Sequence, residues 1–239
     1  MANLQGQAKQ RYVAQMFARI AHRYDLMNTL MTGGMHRSWR QKTVQVTAQG
    51  LPGKALDVAT GTGDLALALA RRPEIDQAVG VDFLPEMVAL ARGKARARQL
   101  ARKTSFIVGD ALALPFPDAS FACATAGFSL RNVVDLPQAL AEMVRVVCPG
   151  GRVTTLELTP LPDGAKAAFF RFYFHRLVPL LGQIIAGNRA AYTYLPQSVD
   201  RFLEADNLAR LFQEQGLAGV GYLRLGFGTV ALHWGSKPP

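Results

Sequence analysis

Leu56-Asp57-Val58-Ala59-Thr60-Gly61-Thr62-Gly63-Asp64 is the stretch on which the fold turns. A short apolar run meets two glycines one residue apart, and a helical pattern follows, so a strand bends sharply into a helix here. Glycine at such a turn lets the backbone tighten and approach a ligand with no Cβ in the way. The glycines do not choose the ligand, because Gly61, Gly63 and Ala66 also satisfy a relaxed dinucleotide fingerprint. The acids discriminate. Asp57 lies inside the strand, where its carboxylate can orient the turn or meet a cationic ligand portion. Asp82 closes the next apolar run 21 positions after Gly61, the spacing at which an acid accepts hydrogen bonds from ribose hydroxyls. Asp110, in Gly109-Asp110-Ala111, follows a third run and is placed to hold an adenine amino group. Any one of these acids can serve as a helix cap. Three in register at successive strand ends favour S-adenosylmethionine as the cofactor.

Outward from this stretch, the chain alternates short apolar runs with amphipathic segments, the pattern of βαβ units on a parallel sheet. Strands are expected near Ala55–Ala59, Ala78–Asp82, Ser105–Val108, Phe121–Ala126 and Arg152–Glu157. Leu136–Val147 reads as a helix capped by Asp135 and stopped by Pro149-Gly150-Gly151. Near the end, Val220–Leu225 and Thr229–Trp234 flank Gly226-Phe227-Gly228, which predicts a hairpin. A terminal hairpin on a parallel sheet indicates an α/β, Rossmann-like fold of the class I methyltransferase type, with one antiparallel strand near the C-terminus. Two regions fall outside it. Residues 1–50, where Val13, Phe17, Ile20 and Tyr24 recur at helical spacing, form a helical cap ahead of the core at 51–239. Residues 159–207, rich in aromatics from Phe169 to Phe174, form an inserted lid.

At 239 residues and 49% hydrophobic, the chain can bury a full core, which excludes disordered and fibrous classes. Cys123 and Cys148, its two cysteines, have neither CxxC spacing nor a paired framework, so disulfides and metal sites are not expected. The N-terminus lacks an apolar signal-like run, and Leu177–Ala186 is broken by Pro179, Gly182 and Gln183, so no spanning helix is expected. The net charge of +10 is concentrated in two places. Met1–Leu56 carries eight basic residues against one acid, and Gly164–Val199 carries four against none, leaving the rest near neutrality. Such segments point to a polyanionic surface, either nucleic acid or anionic lipid, or are simply solvated faces.

Ala21-His22-Arg23-Tyr24-Asp25-Leu26-Met27-Asn28, Leu56–Asp64, Gly127-Phe128-Ser129-Leu130-Arg131-Asn132, and Asn188–Ser198 with its Tyr192 and Tyr194 resemble the ubiquinone/menaquinone C-methyltransferase family, of UbiE or MenG type. The likeness runs from about Tyr12 to Lys237, and Tyr-Asp-Leu-Met-Asn and Leu-Arg-Asn are its specific parts. It implies S-adenosylmethionine-dependent methylation of a ring carbon of a prenylated quinol, either a demethylnaphthoquinol or a methoxybenzoquinol. It also implies cofactor contacts at Thr62, Asp82, Asp110, Ala111 and Gly127. Gly127 stands where relatives often carry serine, so its contact would come from backbone. Cys148 before Pro149, and Leu158-Thr159-Pro160, are further departures from the family pattern.

A ring carbon becomes nucleophilic when its neighbouring hydroxyl is deprotonated, so the site needs a base or a cation that stabilises phenolate. Arg131, on the loop after the fourth strand, is the candidate for the cation, with Asn132 orienting it. Tyr24 and His175 are candidates for substrate positioning and proton transfer. A prenyl tail needs an apolar channel facing a membrane, and Phe169–Phe174 with Leu177–Ile185 can line it. These readings place the protein in the cytoplasm, bound peripherally to the inner face of the membrane, with no nucleic-acid partner and a homodimer among the assemblies considered. The main rival is an RNA methyltransferase, which shares the fold and basicity. Against it, the loop at 127–132 has neither the Asn/Asp-Pro-Pro-aromatic arrangement nor a cysteine nucleophile. A non-catalytic S-adenosylmethionine-binding protein is a third reading, opposed by the presence of Arg131, Asn132 and Tyr24.

Overall fold

Strand β1 (Gly53–Val58) sends its side chains alternately into two layers: Leu56 and Val58 enter one core and Ala55 the other. The computed structural model describes residues 6–161, 164–180, 183 and 189–239. In it the alternation continues through β2 (Ile75–Asp82), β3 (Thr104–Val108), β4 (Phe121–Gly127) and β5 (Val147–Leu158). The sheet is completed by β6 (Ala218–Leu225) and β7 (Val230–Ser236), in the order β3-β2-β1-β4-β5-β7-β6. The first five strands are parallel, and β7 runs antiparallel to both β5 and β6. The inserted antiparallel strand is the one anticipated from the terminal hairpin, whose turn, Gly226–Gly228, is kinked at Phe227, a non-glycine residue at φ of 58°.

Among the described residues up to Phe172 there are seven α-helices, α1 (Gly6–Ile20), α2 (Tyr24–Thr32), α3 (His36–Ala48), α4 (Asp64–Leu69), α5 (Pro85–Ala97), α6 (Leu136–Val146) and α7 (Ala165–Phe172), with 3-10 turns at Ala21–Arg23 and Leu130–Asn132. A π-helical turn, Tyr173–Leu177, continues α7, and α8 (Arg189–Asp200) and α9 (Ala205–Glu214) follow. Helices α3, α4 and α5 cover the face that Ala55, Ala78 and Cys123 present; α6 and α9 cover the face of Leu56, Val79 and Ala124. Asp135 caps α6 by accepting from the Gln138 amide at 3.0 Å, a contribution of about 1 kcal/mol. The helix ends at Val146, three residues before Pro149, because Val147 already pairs with Phe121; Pro149-Gly150-Gly151 therefore lies within β5 rather than stopping α6.

The helices before β1 divide between two packing units. Val44 and Ala48 of α3 are buried on the sheet, and Thr47 Oγ1 meets Thr154 Oγ1 of β5 at 2.5 Å. Met16 of α1 and Met27 of α2 instead pack with Phe174, Tyr192 and Tyr194. Phe170 stacks on Phe174 with ring centroids 4.7 Å apart. Phe170, Tyr173 and Phe174 thus build a separate small core with the N-terminal helices and α8, while Phe169 and Phe172 of the same aromatic run stay exposed. Among the described residues, no helix is long and apolar enough to cross a membrane.

Candidate active site

Asp57 organises the glycine loop from inside. Its Oδ2 accepts from Thr60 Oγ1 at 2.5 Å and from the Ala66 amide at 2.9 Å, which ties the end of β1 to the first turn of α4. Burial, only partly opposed by these bonds, pushes its carboxyl up to about 7. Gly63 has φ of 84°, and a Cβ there would stand 2.9 Å from both Ala91 Cβ and Phe106 Cε1, so conformation and space both exclude a side chain. Asp82 accepts from the Gly61 amide at 2.7 Å and from the Leu84 amide at 2.9 Å. The acid at the end of β2 therefore fixes the loop in addition to facing the cavity, and burial raises its pKa against these two bonds.

Asp57, Gly61, Thr62, Asp82, Asp110, Ala111 and Gly127 all line one cavity of about 170 Å³; Gly63 is not on that lining but packs against Ala91 and Phe106 at the start of α4. Asp57 Oδ1, Ser129 Oγ and Asn132 Oδ1 are buried there without a hydrogen-bond partner among the described residues. Unpaired buried acceptors are costly unless a ligand supplies donors. The amino, ribose and adenine groups of S-adenosylmethionine are donors of this kind, so the residues fit that cofactor. A Cβ at Gly127 would lie 2.5 Å from Leu65 Cδ1, so a serine there would require the end of the Leu65 side chain to turn aside. Ala59 and Phe128, non-glycine residues at φ of 51° and 57°, place left-handed backbone on the same lining, a form of strain concentrated at functional sites.

The loop is also clamped from the N-terminal helices. Thr62 Oγ1 donates to Asp25 Oδ1 at 2.9 Å and accepts from Lys94 Nζ at 2.7 Å. Lys94 pairs with Asp25 at 2.5 Å and Asp64 at 3.0 Å, and Arg40 pairs with Asp64 at 2.8 Å. Burial is the largest influence on Asp64 and would raise its pKa, but Arg40, Lys94 and Arg98 together hold it below the ordinary carboxylate value.

A second cavity, of about 1110 Å³, lies between α1, α2, α3, α7 with its π-helical turn, α8 and the 226–229 turn. Phe17, Arg40 and Phe128 line both cavities, so the two adjoin at these residues. Its walls are apolar, with Met16, Met31, Trp39, Phe170, Phe174 and Leu195 among them. Arg131 lines it too. Its Nη1 meets Glu157 Oε1 at 2.5 Å and donates to the Phe128 carbonyl at 2.6 Å, while Nε is buried without a partner among the described residues. The orienting group is therefore Glu157 together with the Phe128 carbonyl, not Asn132, which lines the smaller cavity. His175 lines neither cavity: its Nε2 lies 3.0 Å from an Asp200 carboxylate oxygen, both side chains being exposed. Tyr24 begins α2, but its side chain lies outside those described.

Four residues of the site escape the sequence reading as functional positions. Glu157 and Ser129 sit inside segments read as strand and loop; a lone acid at the end of a strand of Val, Thr and Leu is the signal that Glu157 offered. Arg40 and His36, one helical turn apart, both line the larger cavity. His36 is buried, and its Nδ1 lies 2.8 Å from Thr32 Oγ1.

The model of the ubiE/COQ5 methyltransferase family matches residues 5–237. A demethylmenaquinone methyltransferase of Thermus thermophilus is 46% identical over 223 residues, covering 93% of this chain and 100% of that one. A protein of the same name from Deinococcus radiodurans is 45% identical over 231 residues, covering 97% and 95%. Among solved structures, an S-adenosylmethionine-dependent methyltransferase from Thermotoga maritima superposes with a TM-score of 0.66 at 18% identity, covering 94% of this chain and 99% of that one. That likeness speaks for the class I fold. With a glycine loop braced by Asp57 and Asp82, an adjoining apolar cavity and this match along nearly its whole length, the chain belongs to the ubiE/COQ5 methyltransferase family.

Proposed function

We propose that the protein transfers a methyl group from S-adenosylmethionine to a ring carbon of a prenylated quinol. The observation that carries this reading is the apolar cavity of about 1110 Å³, which adjoins the glycine-loop cavity at Phe17, Arg40 and Phe128. Ligand pockets commonly span about 300–1,000 Å³, so this volume exceeds what a quinol ring needs and leaves space for part of an isoprenoid tail. Its relatives' names point to the same substrate class. An apolar lining of this extent is ill suited to a nucleic-acid strand, which weighs against an RNA substrate.

When bound, the cofactor supplies an electrophilic methyl on a sulfonium. Asp57, Gly61, Thr62, Asp82, Asp110, Ala111 and Gly127 would hold it, Gly63 would shape the loop, and Asn132 and Ser129 would add polar atoms to the same wall. The chain's remaining task is to align the ring carbon and stabilise the phenolate. Arg131 does the latter: Glu157 and the Phe128 carbonyl fix its guanidinium on the cavity lining, and its buried Nε–H is committed to no partner among the described residues. The helices before β1 and residues 159–207 exclude water from the ring as a cap and lid.

The tail reaches this cavity from a membrane. Phe169 lines the cavity and is 75% exposed, and Phe227, also on its lining, is 89% exposed at the tip of the β6–β7 hairpin. Phe172, Leu177 and Leu180 of the lid are exposed beside Arg171 and Arg176, a mixture of apolar and basic groups suited to an anionic lipid surface. Incubation with labelled S-adenosylmethionine and prenylated demethylnaphthoquinol or methoxybenzoquinol tests the reaction. Methylation of one is expected; methylation of neither, by protein that binds the cofactor, would overturn the reading.

A further inference from the structure

The larger cavity holds a proton acceptor that its size and polarity do not announce. Among the described residues lining it there is no Asp, Glu, Lys or Cys. Its ionisable members are His36, Arg40, Arg131, Tyr173, Tyr192 and Tyr194. Arginine does not give up its proton in proteins, and burial pushes the phenols of Tyr173 and Tyr194 further above neutrality. Among the titratable side chains of that lining, only histidine ordinarily takes up a proton near pH 7.

The orientation of the imidazole follows from its partner. Thr32 Oγ1 lies 2.7 Å from the Asn28 carbonyl oxygen, which can only accept, so the single hydroxyl proton of Thr32 is committed there. The 2.8 Å contact between Thr32 Oγ1 and His36 Nδ1 then requires Nδ1 to donate. Neutral His36 is thereby the Nδ1–H tautomer, with its lone pair on Nε2, and Nε2 has no hydrogen-bond partner among the described residues. Arg40, which lines both cavities, stands one turn along the same helix, and Arg131 shares the cavity.

We infer that His36 is the base of the reaction, taking the proton of the quinol hydroxyl on Nε2; this rests on the quinol reading above. The O–H bond breaks and its electron pair stays on oxygen, while the Nε2 lone pair forms the new N–H bond. Phenolate charge, held by Arg131, raises electron density at the adjoining ring carbon, which takes the methyl. That carbon then loses its own proton to water as the ring regains aromaticity, and the imidazolium returns the first proton to oxygen. One proton is released overall, matching the positive charge lost by the methyl donor. The surroundings keep the ring neutral beforehand: burial is the largest influence, Arg40 and Arg37 act in the same direction, and Asp64 and Asp25 oppose them, leaving the pKa below 6.5.

The test combines apo-protein spectroscopy with kinetics. Nitrogen-15 spectra of ring-labelled apo protein should show His36 as Nδ1–H at pH 7, with protonation centred below 6.5, and Thr32→Val should erode that tautomer preference. His36→Asn and His36→Gln should bind S-adenosylmethionine as the parent does yet methylate a short-tailed prenyl naphthoquinol about a hundredfold more slowly or worse. The acid limb of the parent's pH–rate profile should disappear in both. An Nε2–H tautomer, or near-parental rates in the variants with the acid limb intact, would overturn the assignment to His36. If the parent methylates neither quinol, the substrate reading fails with it; if only the variants fail to fold, Thr32→Val and the parent spectra still decide the tautomer on which the assignment depends.

Discussion

The two cavities are built on opposite principles. The smaller draws its lining from several strand ends but is braced largely by short-range bonds: Asp57 reaches Thr60 and Ala66, and Asp82 reaches Leu84, each within nine residues, while Asp82 also holds the Gly61 amide from 21 residues away. Backbone amides do most of the bonding, the carboxylates are buried, and two non-glycine residues hold left-handed conformations. The larger is assembled from segments remote in sequence: Met16, His36, Arg131, Phe174 and Phe227 meet on one lining. Its walls are side chains rather than backbone. A site that must grip one constant cofactor can rest on a local, hydrogen-bonded loop, whereas a space for a greasy tail needs only apolar surface, which any packed set of helices supplies.

The contrast can be broken most forcefully at Arg131 and Glu157, whose side chains are 5% and 1% exposed. Arg131→Ala or Glu157→Ala strands a buried charge and should lower unfolding stability by about 3–5 kcal/mol in denaturant titrations. Arg131→Met with Glu157→Leu should recover most of that stability while methylation stays down about a hundredfold, because the phenolate still lacks its cation. Recovery of both together would show the pair to be structural.

Asp82→Ala attacks the smaller cavity. It removes the acceptor of two loop amides and a cofactor-facing carboxylate, and calorimetry should show cofactor binding weakened by roughly 1–3 kcal/mol. Unchanged affinity would remove Asp82 from the site. The same variant should leave the larger cavity able to take up an apolar dye, which sharpens the separation between the two.

The smallest effect belongs to the outer face of the lid. Each basic residue near an anionic surface contributes about 1 kcal/mol, and salt screens that contribution. Arg171→Glu with Arg176→Glu should release the protein from anionic vesicles in sedimentation, yet spare methylation of a short-tailed quinol in detergent. Equal sedimentation of parent and variant would assign the basic lid to another partner.

Local chemistry made the glycine loop, the capped start of α6 and the terminal hairpin legible in the sequence. Turns, caps and period-2 alternation depend on residues a few positions apart, so the chain states them directly. The three strand-end acids are legible for the same reason, and their cavity positions follow from where parallel strands end. Tertiary structure alone decided that Glu157, 26 residues from Arg131, orients it, while Asn132, its neighbour in sequence, faces the other cavity. It also turned His175 outward toward Asp200 and brought His36 into the larger cavity. Those outcomes depend on how α2, α3 and the lid pack against the sheet's edge, and packing is set by the shapes of side chains that meet only after folding. No spacing along the chain encodes such a meeting.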